Sequence, residues 1–269
     1  MRLLAFSLFA ALTLSSLPAP AHEFWISPET YTVEPEGQIV AHIRVGQNFK
    51  GGAYSYIPQN FVRFDMVAGD RVIPVEGRIG DRPALSMTAP AEGLVTLVHQ
   101  TTDYFLTYSD ADTFVNFVTS KDFDGVLAEH KARGLPEAGF RERYSRFAKS
   151  LIAVGDGDGA DREVGLLTEI VALANPYTDD PSAGLPVQVL YQGAPRPGVQ
   201  VDVFARGADD AVTLTKYRTD DAGLAVISVQ PETDYLVDSV VMRPLEPEAE
   251  NDPVWESLWA SLTFRVPPR

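Results

Sequence analysis

The chain has 269 residues, carries 22 Lys+Arg against 37 Asp+Glu for a formal net charge of −15, and contains no cysteine. Disulfides, thiolate metal sites and cysteine nucleophiles are excluded. So acidic a chain also argues against nucleic acid and anionic membranes as partners, because both select clustered Lys and Arg.

Taken in chain order, residues 1–21 place one charge, Arg2, before an apolar run from Leu3 to Leu14, then Pro18 and Pro20, with Ala19 and Ala21 at the −3 and −1 positions of a cleavage site. That is the layout of a secretory signal peptide, and the apolar run is shorter than the roughly 20 residues that span a bilayer. Cleavage after Ala21 leaves a periplasmic or secreted protein, not membrane-spanning, that begins at His22. From His22 to Val118 the pattern is one of strands and turns. Gln38–Val45 alternates Ile39, Ala41, Ile43 and Val45 with Val40, His42 and Arg44, the period of a half-buried strand. Phe61–Val67, Arg71–Val75, Ala84–Met87 and Leu94–Gln100 are further short strands.

The period then changes. Lys121–Arg133 sets Phe123, Val126, Leu127 and His130 on one helical face, with Thr119 and Asp122 as a capping box and Gly134 as the stop. A second helix is predicted from Glu137 to Leu151. Phe140, Tyr144, Phe147 and Leu151 would face inward, and Arg141, Arg143, Arg146 and Lys149 would face solvent. Gly155–Glu163 (GDGDGADRE) reads as a flexible linker; Asp156, Asp158 and Asp161 resemble a calcium loop without its closing Glu. A second strand-rich region begins near Gly165 and closes with Trp255–Val266. The expected fold is mainly β, with two β-sandwich domains, immunoglobulin-like or transthyretin-like, over 22–118 and 165–269. A helical segment over 119–154 and the linker over 155–164 lie between them.

Gly193, Pro195, Gly198 and Val201, followed by Thr219, Asp220 and Gly223 and a strand ending at Val241, resemble the transthyretin-like, carboxypeptidase-regulatory-like sandwiches of exported proteins. A broader resemblance rests on AHEFWISP (Ala21–Pro28), RYSRFAKSL (Arg143–Leu151) and EIVALANPY (Glu169–Tyr177), in that order before the sandwich pattern. Together they resemble the bacterial periplasmic family called domain of unknown function 4198. The resemblance implies a place among the periplasmic components of nickel and cobalt uptake systems, with a metal-uptake transporter of the inner or outer membrane as partner.

At the cleaved N-terminus, His22 offers an α-amine and an imidazole, a pair of nitrogens suited to Cu(II) or Ni(II) in a tetragonal array; the family resemblance adds Co(II). A further ligand would come from His42, His99 or His130. His99 is preferred because it lies near a strand end, whereas His42 falls on the exposed face of its strand and His130 at a helix–sheet contact. There is no G-x-S-x-G elbow, phosphate loop or H-E-x-x-H helix, so no catalysis is expected. Trp25, Trp255 and Trp259 read as core. The expected function is an exported, non-catalytic metal-binding accessory for nickel, cobalt or copper. The alternative is a structural or protein- or glycan-binding module without metal.

Overall fold

The computed structural model describes residues 22–268; the segment read from the sequence as a signal peptide, over 1–21, lies outside the described residues. The chain opens with β1 (Glu23–Pro28), the short β2 (Thr32–Val33), β3 (Gln38–Gln47) and β4 (Lys50–Tyr54). Next come β5 (Phe61–Ala68), β6 (Arg71–Pro74), β7 (Leu85–Thr88), β8 (Gly93–Thr101) and β9 (Tyr104–Thr107). Two helices, α1 (Ala111–Ser120) and α2 (Val126–Ala132), precede β10 (Arg141–Val154) and β11 (Thr168–Ala172). The remainder is β12 (Leu185–Tyr191), β13 (Ala194–Pro195), β14 (Gln200–Arg206), β15 (Val212–Arg218), β16 (Leu224–Ile227), β17 (Thr233–Pro244) and β18 (Trp255–Val266).

A ten-stranded sheet runs in the order β15-β14-β17-β18-β10-β8-β5-β6, with β2 and β9 also paired to β10. Its seam is the parallel pair β10–β18, in which Glu142–Ser150 runs beside Trp255–Thr263. Two four-stranded sheets cover its opposite faces. Ile26, Ile39 and Ile43 of the first (β1, β3, β4, β7) pack on Met66, Leu97, Ala148 and Ile152. Val187, Val189 and Ile227 of the second (β11, β12, β13, β16) pack with Leu151, Val203, Val237, Leu262 and Phe264. Successive side chains of a strand point to opposite faces, so Ala148 and Leu151 serve different cores. Beyond β1 the first face is closed by the helices, whose Phe114, Phe117 and Val126 bury Trp255 and Trp259.

The mainly β sandwich fold, with a pair of helices in mid-chain, matches the sequence reading; the two sandwiches share one sheet. The helices themselves are corrected. Residues 141–154 are the strand β10, not a helix. Apolar spacing of three to four residues imitates a helical face there, because β10 is buried on both sides and shows no alternation. The first helix of the pair is α1, within the segment read as strands. Asp110 caps it by accepting from the Thr113 amide at 2.8 Å, and Phe114, Phe117 and Val118 are its buried face. The capping box is also corrected: Thr119 lies inside α1, Asp122 takes a φ of 56°, and α2 starts after Gly125 at φ 83°. Gly134 does follow the helix, at φ 66°.

Lys149, placed in solvent by the helical reading, is 1% exposed, with its Nζ 2.8 Å from Asp161 and 3.0 Å from Glu169. The segment over 155–164 is tied down accordingly. Asp161 also accepts from the Ala172 amide, and the Asn175 side-chain amide donates to the carbonyls of Gly157 and Gly159. The Lys149 ammonium thus pairs with Asp161 of the calcium-like spacing, while Asp156 and Asp158 are exposed.

Candidate functional site

β1 lies across the large sheet at its seam, where the Thr263 hydroxyl donates to the Ile26 carbonyl at 2.7 Å. Alternation sends Phe24 and Ile26 into the first core. It sends Trp25 against Phe49, Phe204 and Leu236, with Glu23 on that same side. Glu23 walls a cavity of about 380 Å³ that is also lined by Asn48, Asn116, Lys121, Asp202 and Lys216. Its rim depends on the tight β3–β4 pair. A Cβ on Gly46 would stand 1.9 Å from the Lys50 carbonyl oxygen, so only glycine lets the strands approach, and Asn48 turns the chain at φ 53°.

Charge in the site is organised by Lys121, at the C-terminal end of α1. Its ammonium lies 2.8 Å from Asp202 and 2.7 Å from Asp238, and 5.0 Å from the Trp259 ring centre. Burial works against its charge, but the two carboxylates outweigh burial and raise its pKa. Asp238 is pushed up by burial and held back by Lys121. Glu23 is 6% exposed, and burial, reinforced by the Asp238 charge, lifts its pKa to about 7. Near neutral pH this carboxyl therefore exchanges a proton.

The polar atoms around it are under-satisfied. Glu23 Oε2, Trp25 Nε1, Asp238 Oδ1 and Ser261 Oγ are all buried without a hydrogen-bond partner among the described residues. Asp238 and Ser261 are directly opposite in the β17–β18 register. Buried polar groups are nearly always satisfied, if not by the chain then by ordered water, and of these four residues Glu23 lines the cavity.

The histidines singled out from the sequence lie apart. His22 is half-buried just before β1. His99 is 1% exposed, with its ring centre 5.2, 4.6 and 5.0 Å from Phe24, Phe61 and Phe64. Neither of its ring nitrogens has a partner, and burial lowers its pKa to about 3, so the ring is neutral. His42 meets Glu29 at 3.2 Å. His130 Nδ1 accepts from Trp255 Nε1 at 2.9 Å, which leaves Nε2–H to donate to the Pro136 carbonyl. Among the described residues no three His, Asp or Glu side chains converge on one metal position. Glu23, Asp202, Asp238 and Lys121 were not legible as a group. The one local signal is a carboxylate beside the apolar run FWISP, whose strand buries every residue.

The model of a family described as a domain of unknown function, DUF4198, matches residues 19–243. No curated protein matches the chain. Among solved structures, the D0–D1 domain of intimin is similar at 12% identity, covering 89% of this chain and 97% of that one, with a TM-score of 0.23. A score that low carries no argument about this chain.

Proposed function

The chain belongs to the DUF4198 family, and from that premise we propose that it is an exported, non-catalytic metal-binding accessory that holds one Ni(II), Co(II) or Cu(II) ion at the start of its mature chain. The donors are the α-amine and imidazole of His22, with the carboxylate of the next residue, Glu23, as the further ligand proposed. The observation that carries the reading is the buried, unpartnered Oε2 of Glu23, a residue that lines the cavity and directly follows His22 in the chain. Asp202 and Asp238 already share the Lys121 ammonium. An α-amine has an ordinary pKa of roughly 7.7–8.0, so a metal displaces its proton with little penalty near neutral pH. His99, among three phenyl rings, stands outside this ligand set. The segment read as a signal peptide supports export, and the nickel and cobalt uptake role that the sequence resemblance implies favours a metal-uptake transporter as the receiving partner.

The test is titration calorimetry of Ni(II) into protein that begins at His22, at pH 7, in two buffers of different ionisation enthalpy. One site is expected, with an apparent enthalpy that depends on the buffer because protons leave the α-amine and Glu23. Glu23→Gln should weaken binding by at least the roughly 10–100-fold seen when an outer-shell partner is lost. His99→Ala should bind as the parent does. The absence of saturable binding overturns the reading, and a Glu23→Gln affinity equal to the parent removes Glu23 from the site.

A further inference from the structure

Arg146 is a cation without an anion. It lies on β10, and alternation puts it with Tyr144 on the face that carries Ala148 into the first core. Its guanidinium sits 5.6 Å from the Phe24 ring centre and 4.8 Å from that of Tyr144. Tyr104, directly opposite Tyr144 in the β9–β10 register, stacks on it at 5.5 Å. Nε of Arg146 is buried with no acceptor, and among the described residues the guanidinium makes no ion pair. The contrast with its neighbour is direct, since Arg143 Nε is 2.7 Å from Glu256. Burial pulls the Arg146 pKa down, opposed by the hydroxyls of Tyr144, Tyr54 and Tyr104 and by the more distant Asp238. Arg146, Tyr104 and Tyr144 are each part-exposed, and Tyr54 is 52% exposed, so the cluster is open to solvent.

A buried N–H donor with no acceptor, as at Arg146 Nε, is unfavourable. Stacking over two rings offsets part of the penalty but leaves the planar fork of N–H donors unused. That fork matches a carboxylate in bidentate geometry, and the surrounding tyrosine rings offer flat apolar surface. A phosphate dianion fits less well, because no lysine or second arginine stands beside Arg146 in the ring cluster and the chain carries a net charge of −15. We propose that Arg146 anchors a binding site for a small organic carboxylate with a flat apolar body, the carboxylate on the guanidinium and the body against Tyr54 and Tyr104. This inference does not depend on metal at His22.

Benzoate is the probe and benzamide its neutral control, titrated calorimetrically into the exported protein with a chelator present to remove metal. Saturable one-site binding of benzoate and none of benzamide is expected. Arg146→Lys, which keeps the charge and loses the fork, should weaken benzoate by about tenfold, the equivalent of one good hydrogen bond. Arg146→Gln should abolish binding while thermal unfolding shows the variant folded; if it does not fold, the Lys variant and benzamide still decide. No saturation by benzoate, equal binding of benzamide, or undiminished binding by a folded Arg146→Gln or Arg146→Lys protein would overturn the site.

Discussion

Replacing Lys149 with Ala is expected to destabilise the fold by about 3–5 kcal/mol, the range for removing one partner from a buried ion pair. Lys149 Nζ lies 2.8 Å from Asp161 and 3.0 Å from Glu169, and it donates to the Arg162 carbonyl at 3.0 Å. Glu169 in turn accepts from the Val164 and Leu166 amides. One ammonium therefore joins β10, the 155–164 segment and β11 at the place where the second small sheet begins. Without it, two carboxylates remain in a space that water does not reach. Replacing all three side chains with apolar ones of similar volume should be far less damaging, since the penalty comes from uncompensated charge and not from the loss of a bond. Urea unfolding of the single and triple variants separates these outcomes. A loss below about 1 kcal/mol for Lys149→Ala would contradict this account of the buried ion pair.

Phe147→Ala should also lose about 3–5 kcal/mol, through lost burial and the cavity left behind. Phe147 is 2% exposed and packs with Val67, Val98, Leu166, Val241 and Leu258. These neighbours come from five different segments, so none can follow the missing ring without disturbing the others. Chemical denaturation measures the loss, and a value under about 1 kcal/mol would mean that the cluster collapses around the gap.

Phe147 illustrates what the sequence could and could not reveal. Its burial was legible, but the reason for it was not. The helical reading gave it an inner face at a spacing of 3.6, whereas the strand buries both faces and so hides its period of two. The strands with one clean apolar face were legible, as at Ile39, Ala41 and Ile43 of β3, and so was the full extent of β18. α1 was legible in principle from Asp110 and Thr113 followed by Phe114, Phe117 and Val118, and was lost beside the stronger strand signals. The site had no such signature. Lys121 meets Asp202 and Asp238 across 81 and 117 positions of chain, a juxtaposition that only the sheet order creates. His99 illustrates the converse: a residue near a strand end looked available, yet the first small sheet and β5 close three phenyl rings around it.

Metal capture by the first residue of the mature chain is tested most directly by titrating Ni(II) into two proteins, one beginning at His22 and one with a single alanine before it. The added residue turns the amine into an amide and leaves every side chain in place. The His22 chelate predicts an affinity lower by more than about 100-fold for the extended protein, beyond what loss of an outer-shell contact produces. Equal affinities for the two proteins would contradict it.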